Sequence, residues 1–382
     1  MVWLTPRPFR VTEIDDSHPL VKEALRNRKP FELCWCGSGQ KYKKCHRFRQ
    51  EKPALSLGRL LNEQRKVFWK KRGCMHPLAS SRTCSGHVID AHSIQRKGPL
   101  STIVDGRNHV SQLTPSTKTN DIEVSKIGWK KASTFPGYCA AHDSAIFKTL
   151  EQQPFTGTHE QCVLLAFRNV CNELYKKRAL LVALRFQRDV IDRGCNLDEQ
   201  INRQLTISEN ILGQSKSEAE LEKLWSQFQQ ALNDNDLNMF ESRVFFFNGT
   251  LSVVSSSAMP TEYDFAGRQL KDLWNIHTDA EMLSHATINT KNGGAVVFTW
   301  LTHETTPRRV VDSYDSLLNE DKGDIFVQYC FLNCENTYFS LDWWQGLETP
   351  IQNQLKNYAR ALFYEGGPFV ANSSKLVDWD FG

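Results

Sequence analysis

The chain has 382 residues, of which 40% are hydrophobic and 24% charged, and its formal net charge is +4. This length exceeds what one simple core usually organises and predicts two or three domains. No run approaches the ~18 consecutive apolar residues of a membrane helix, and the N-terminus lacks the charged-then-apolar order of a signal peptide. We therefore expect a cytoplasmic protein with no membrane contact.

The positive charge is concentrated in the N-terminal third. Residues 1–131 hold 26 Lys and Arg against 11 Asp and Glu, whereas the remainder holds 21 against 32. Aromatic residues such as Trp35, Tyr42 and Trp69 are interleaved with these basic residues. This pattern is typical of polyanion binders and predicts contact with DNA or RNA. The alternative is a solvated surface that only keeps the protein soluble.

Turn residues and hydrophobic spacing predict a multi-domain α+β fold. The chain divides into an N-terminal arm with a cysteine-rich knuckle (1–55), a basic module (56–155), a helical hairpin (156–244) and an acidic β-rich domain (245–382).

Short predicted elements alternate in the first half of the chain. An extended arm leads to a short helix at 18–27, and a basic helix follows at 57–71. Extended runs at 87–94 and 103–113 then lead, through a polar loop, to a helix that begins near Cys139. This order predicts a small, metal-held ββα unit.

The second half is predicted to change from long helices to strands. Apolar residues recur at helical spacing between 157 and 245, which favours an antiparallel hairpin. Beyond it, short apolar runs predict strands, and one helix is expected at 350–363. The predicted strands are 244–247, 251–254, 295–299 and 325–331.

The first group of metal-ligating residues comprises Cys34, Cys36, Cys45 and His46. The Gly37-Ser38-Gly39 turn lets the chain double back, so that three thiolates and an imidazole meet around one zinc ion. These residues, with Tyr42, Lys43 and Lys44 between the ligand pairs, resemble the SEC-C motif, the zinc tail of the translocation ATPase SecA. The resemblance implies a bound zinc. It also implies that the knuckle contacts an acidic protein surface, the ribosome or nucleic acid.

The second group combines Cys74 and Cys84, the run from Val88 to Ile94, and Cys139-Ala140-Ala141-His142-Asp143. Together they resemble the HNH (ββα-metal, treble-clef) nucleases. The resemblance implies a second zinc held by the residues at its two ends, which are Cys74, Cys84, Cys139 and His142. Because nine residues separate the first two cysteines, His76 or His87 stays open as an alternative ligand.

The same resemblance implies roles for four further residues. His92 would be the general base, Asn108 would orient it, and Asp143 would lie beside a catalytic metal that Asp90 could join. Phosphodiester hydrolysis requires a base that deprotonates water and a divalent ion that offsets charge on the phosphate. Carboxylates suit Mg²⁺ or Mn²⁺, whereas thiolates suit Zn²⁺.

Two functions follow from these patterns. The first is a metal-dependent endonuclease, which by analogy would serve bacterial defence against foreign nucleic acid. The second is a non-catalytic zinc adaptor that docks to nucleic acid, the ribosome, a chaperone or another protein. Two departures from the nuclease pattern keep the second open, because Ala91 displaces the carboxylate beside the base and Asp143 replaces the terminal histidine.

Overall fold

The computed structural model describes residues 17–116, 118–119, 121–273, 275, 277–365 and 367–382, and the predicted extended arm lies outside these ranges. Helices and antiparallel strands are both abundant, which confirms the α+β class. The chain forms two compact units. The first contains the residues up to Trp69 and Lys176–Ala219, and the second contains Lys70–Tyr175 and Glu220–Gly382. The four-segment division of the chain stays a prediction.

The secondary structure follows the chain in this order. The helices are α1 (Pro19–Leu25), α2 (Leu57–Phe68), α3 (Pro99–Thr102), α4 (Ala140–Ile146), α5 (Lys148–Gln152), α6 (His159–Arg188), α7 (Leu197–Asp234), α8 (Thr305–Asp315), α9 (Lys322–Asn333), α10 (Leu341–Gly346) and α11 (Thr349–Arg360). The strands are β1 (Val88–His92), β2 (His109–Pro115), β3 (Ile122–Gly128), β4 (Thr134–Cys139), β5 (Phe240–Asn248), β6 (Val253–Pro260), β7 (Met282–Asn289), β8 (Gly293–Leu301), β9 (Thr337–Phe339) and β10 (Asp380–Phe381).

Helices α6 and α7 form the predicted antiparallel hairpin, and each contributes to both units. In the first unit, the Gln204 side chain donates to the Arg188 carbonyl at 2.8 Å. Farther from the turn, Lys177 donates to Gln214 at 2.6 Å. These pairs run in opposite directions along the two helices, as an antiparallel arrangement requires. Among the described residues, no helix combines the length and apolar character needed to cross a membrane.

An eight-stranded antiparallel sheet organises the second unit, with the strand order β10-β5-β8-β7-β6-β9-β2-β3. Its longest pairing joins β5 to β8, from Phe240 opposite Leu301 to Asn248 opposite Gly293. A side chain at Gly293 would collide with the Phe247 carbonyl, so this position requires glycine. Buried residues of the sheet and of α8, α9 and α11 form one apolar core.

The prediction of a strand at 325–331 is wrong, because these residues lie in α9. The helix is buried on all sides, from Lys322 to Leu332. The sequence of a helix without a polar face shows no 3.6-residue periodicity of apolar residues. A short apolar run of this kind is therefore equally consistent with a buried strand and with a buried helix. The other predicted runs overlap β5, β6 and β8, and the predicted C-terminal helix overlaps α11.

The ββα unit is present, but its second strand differs from the predicted one. β1 pairs with β4, from Val88 opposite Cys139 to His92 opposite Thr134, and α4 follows directly. The predicted strand at 103–113 is wrong as the partner of β1, since β2 pairs with β3 and β9 in the large sheet. Sequence order cannot reveal that a hairpin is inserted between two paired strands.

Buried hydrogen bonds tie this two-stranded unit to the large sheet within the second unit. The Asn336 side chain donates to the Ser93 hydroxyl at 3.0 Å, and the Ser133 amide donates to the Tyr338 hydroxyl at 2.8 Å. Ser93 and Ser133 in turn pair at 2.6 Å. Because buried polar groups need such partners, these contacts fix the chain immediately after β1 and before β4.

Candidate metal centres and the His92 site

The first group of cysteine and histidine residues is folded as its glycine turn predicts. Gly37 and Gly39 have φ angles of 69° and 72°, a backbone region that favours glycine. The chain returns on itself, and the Cys34 amide donates to the Gln40 carbonyl at 2.8 Å. The ligand atoms of Cys34, Cys36, Cys45 and His46 all lie within 4.8 Å of one another and are buried.

The spacing within this group suits a tetrahedral zinc ion. Nδ1 of His46 lies 3.1 Å from Sγ of Cys34 and 3.1 Å from Sγ of Cys45, and Sγ of Cys36 lies 3.6 Å from Sγ of Cys45. Typical zinc–ligand bond lengths imply S···N separations of about 3.5 Å and S···S separations of about 3.8 Å. This knuckle could therefore hold a metal ion such as zinc.

A buried carboxylate, which sequence reasoning missed, orients the histidine of this knuckle. Oδ2 of Asp192 accepts from Nε2 of His46 at 2.7 Å and from the Gln204 side chain at 2.8 Å. Arg49 donates to Sγ of Cys45 at 3.2 Å, which offsets thiolate charge. Asp192 lies 146 residues from His46, in the turn between α6 and α7, so no local spacing could have indicated it.

The Asp192→Asn substitution is expected to weaken zinc binding by the knuckle about 10- to 100-fold. The Asp192 carboxylate orients the His46 imidazole and makes it more basic. The substitution removes that negative charge. Competition with a chromophoric chelator measures the affinity. Asp189→Asn, in the same turn, is the matched control, because Asp189 contacts Arg49 through its backbone carbonyl, which the substitution keeps. Equal zinc affinities for Asp192→Asn and the unmodified chain would contradict this role.

The second group also converges on one point. Nδ1 of His142 lies 3.5 Å from Sγ of Cys74 and 3.6 Å from Sγ of Cys84. Cys139, at the N-terminal end of α4, completes the four, and all the ligand atoms lie within 4.8 Å of one another. These separations match the zinc geometry given above, so this group could likewise hold a metal ion such as zinc.

The two alternative histidines lie outside this group. The His76 ring stacks on the His142 ring with centroids 4.0 Å apart, and its Nδ1 accepts from the Leu78 amide at 3.0 Å. Burial, together with the nearby His142, lowers the pKa of His76 to about 4. His87 is exposed. His76 is therefore a neutral ring that packs against a ligand of this group.

His92 ends β1 and is half-buried. Its Nε2 lies 3.4 Å from the backbone carbonyl of Trp129. A carbonyl can only accept, so this contact requires the proton on Nε2 and leaves the Nδ1 lone pair as a base. Burial lowers the pKa of His92, and the charges of Arg96 and Arg168 lower it further. His92 is consequently neutral at neutral pH.

Asp143 lies in the first turn of α4 and is half-buried. No described residue donates a hydrogen bond to its carboxylate. Burial raises the pKa of Asp143, while the charge of Arg168 opposes this rise and that of Glu151 adds to it. Arg168 and Glu151 form an ion pair at 2.9 Å, and Glu151 also accepts from the side chain of Gln95, which lies three residues after His92. We refer to the surroundings of this ion pair as the His92 neighbourhood.

The described contacts join neither the Asp90 nor the Asn108 side chain to His92 or Asp143. Asp90 is exposed, lies opposite a β-bulge in β4, and acts on Tyr175 rather than on Asp143. Asn108 occupies an exposed turn with φ 60°, and its carbonyl accepts from the Trp129 amide at 3.0 Å. The group that contacts His92 is thus the Trp129 carbonyl. Sequence reasoning cannot identify it, because every residue has a carbonyl.

Across the described residues, the two Cys/His groups are the sites where three or more potential ligands cluster. A Mg²⁺ or Mn²⁺ centre with three protein ligands is therefore not formed around Asp143 by the part of the chain described. Mg²⁺ is often held by one or two carboxylates, water and substrate phosphates, so the catalytic metal stays a prediction.

Comparison with known proteins bears on the first group only. The model of the SEC-C motif family matches residues 32–47, which confirms the resemblance of the knuckle to that motif. No curated protein and no solved structure matches the chain. The likeness of residues 74–143 to HNH nucleases stays a prediction from their sequence pattern.

Proposed function

We propose that the protein is a metal-dependent endonuclease that hydrolyses phosphodiester bonds of DNA or RNA at His92. The observation that carries the proposal is the state of His92, a neutral histidine whose Nε2 proton is donated to the Trp129 carbonyl and whose Nδ1 lone pair is available. It lies on a ββα unit whose four metal-ligating residues converge as in the HNH pattern. The basic N-terminal third would supply affinity for the phosphate backbone.

In this mechanism Nδ1 of His92 accepts a proton from water as the water oxygen forms a bond to phosphorus. The bond from phosphorus to the leaving oxygen breaks, and that oxygen takes a proton from solvent. The Trp129 carbonyl keeps the proton on Nε2, so that the imidazole presents the correct nitrogen. Zinc in the second Cys/His group would hold α4 and the end of β4 against the segment that carries Cys74 and Cys84.

Asp143 is the residue suited to hold a catalytic Mg²⁺ or Mn²⁺. Asp143 is half-buried and receives no hydrogen bond from a described residue, so a bound cation would stabilise its carboxylate. A divalent ion there would offset charge on the phosphate and the leaving oxygen. The exposed position of Asp90 gives this proposal no support, so we assign the role to Asp143 alone.

Incubation of the zinc-loaded full-length chain with supercoiled plasmid and with a structured RNA tests the proposal. The reactions contain Mg²⁺ or Mn²⁺, and the control contains zinc alone. We expect nicked or linear DNA, or shortened RNA, only when the second metal is added. Intact substrates under every metal condition, from protein that carries two zinc ions, would overturn the nuclease proposal.

The pH dependence of cleavage reports the protonation of His92. The base must be neutral, so activity rises as pH increases through its pKa and then reaches a plateau. Burial and the charges of Arg96 and Arg168 outweigh Trp129 and Glu151, and hold this pKa below the ordinary 6.5. We therefore expect the acid limb of kcat/KM to lie below pH 6.5. An acid limb centred above pH 6.5 would contradict His92 as the base.

One observation favours the adaptor as a second candidate. The knuckle exposes Phe31, Leu33 and Phe48, and Nζ of Lys43 lies 3.9 Å from the Phe31 ring centroid. An apolar surface with cations over its rings is suited to an acidic partner. Retained nucleic-acid or ribosome binding in a gel-shift or sedimentation assay, without cleavage under any metal, would favour this function.

A further inference from the structure

Arg168 is a buried cation with unused hydrogen-bonding capacity. Its side chain is 3% exposed, and its Nη2 pairs with Oε1 of Glu151 at 2.9 Å. Among the described residues, the other two guanidinium nitrogens, Nε and Nη1, are buried and have no hydrogen-bond partner. Native proteins seldom leave buried charged donors unpaired, because each lost hydrogen bond is costly. The two free nitrogens therefore indicate a ligand.

The surrounding contacts hold Arg168 firmly in place. Its guanidinium lies 3.9 Å from the centroid of the Phe147 ring, at the end of α4. The next residue, Asn169, donates to the Ser284 hydroxyl at 3.0 Å and to the His285 carbonyl at 2.8 Å, which pins α6 against the large sheet. A guanidinium fixed in this way is organised for an anion before the anion arrives.

Arg168 belongs to the neighbourhood of His92 although it lies outside the ββα unit. Glu151, the ion-pair partner of Arg168, also accepts from the Gln95 side chain at 3.2 Å, and Gln95 lies three residues after His92 at the end of β1. Glu151 is the only ion-pair partner of Arg168 among the described residues. The Glu151 side chain is 41% exposed, so the carboxylate that pairs with Arg168 reaches solvent. A second cation, Arg96, also acts on His92 and lies 5.8 Å from the Trp129 ring centroid.

We infer that Arg168 is a phosphate-binding residue, which receives a non-bridging oxygen of the scissile phosphate on its unpaired guanidinium nitrogens beside His92. This inference rests on the proposed nuclease function for the identity of the substrate. It gives α6 a part in the site, because the ββα unit alone lacks a buried cation for the phosphate. Glu151 competes for the guanidinium and weakens the binding of an anion.

Inorganic phosphate is the probe, titrated into the zinc-loaded full-length chain without Mg²⁺ or Mn²⁺ and followed by isothermal titration calorimetry. We expect saturable binding that Arg168→Lys weakens about 10-fold or more, since lysine keeps the charge but loses the planar set of donors. Arg185→Lys is the matched control, because Arg185 is an exposed residue of the same helix. It is expected to leave phosphate affinity unchanged.

A second variant separates phosphate binding from a purely structural role. Glu151→Gln keeps Arg168 and removes the competing carboxylate, so phosphate affinity is expected to rise roughly 3- to 10-fold. If Arg168 only braces Phe147 and Glu151, this variant would lose thermal stability and gain no affinity, which would overturn the inference. Glu151→Gln also tests the inference if the Arg168→Lys variant fails to fold.

The outcomes distinguish this inference from the nuclease proposal. Loss of phosphate binding in Arg168→Lys, with intact substrates under every metal, would support the anion site and overturn the nuclease. Cleavage by the unmodified chain, with equal phosphate affinity in Arg168→Lys, would support the nuclease and overturn the role of Arg168. If the unmodified chain binds no phosphate at all, the inference fails.

Discussion

Replacement of His92 by alanine is expected to reduce cleavage about 10²- to 10⁴-fold, the usual contribution of a general base. The imidazole is half-buried and neutral, and its Nε2 proton is donated to the Trp129 carbonyl. An exposed residue therefore cannot easily take over the role of His92 as the base. Single-turnover cleavage of plasmid or RNA at saturating protein measures the chemical step. Asp143→Ala is expected to reduce the rate as well, and added Mn²⁺ should rescue it only partly.

His87→Ala is the matched control for this experiment. His87 lies one residue before β1 and is exposed, so its loss should change neither fold nor cleavage. The zinc content of each variant must equal that of the unmodified chain, which separates loss of the base from damage to α4. Cleavage by His92→Ala at the unmodified rate would remove His92 from the mechanism.

The second large effect is expected from Cys45→Ser. The zinc-loaded chain should carry two zinc ions, and this variant should carry one. Zinc binding contributes ~10–16 kcal/mol to the folding of isolated zinc-finger peptides, so the knuckle is expected to unfold without it. Val21, Ile201 and Leu205 pack against the knuckle in one apolar cluster. These side chains would become exposed to solvent if the knuckle unfolded.

Metal analysis by mass spectrometry and thermal unfolding test this prediction. Cys195→Ser is the matched control, because Cys195 is a buried thiol of the same compact unit and lies outside both groups. It should keep two zinc ions. If Cys45→Ser also retained two zinc ions and the unmodified melting profile, the knuckle would not be a metal centre.

The knuckle depends on residues far from it in the sequence. The SEC-C match covers residues 32–47, yet His46 depends on Asp192 in the turn after α6. The knuckle is thus joined to the helical hairpin through a buried hydrogen bond and an apolar cluster. A peptide cut at residue 55 would leave His46 without its carboxylate partner. We expect such a peptide to bind zinc more weakly than the full chain.

The sequence by itself indicated both groups of cysteine and histidine residues that the structure brings together, although it left His76 and His87 open as alternatives in the second group. It also predicted the helical hairpin, from apolar residues that recur at helical spacing, and the helix that begins near Cys139. It failed at α9, where burial on every side removes the periodicity, and at the partner of β1, which lies beyond an inserted hairpin.

Only the tertiary structure decided which groups surround the ligands and the base. Asp192 meets His46 across 146 residues, and Arg168 reaches the neighbourhood of His92 from α6, in which the sequence predicted no site residue. The Trp129 carbonyl replaces the side chain of Asn108 at the imidazole. Such partners are chosen by proximity in the folded chain, and a backbone carbonyl or a distant charge leaves no pattern in the local sequence.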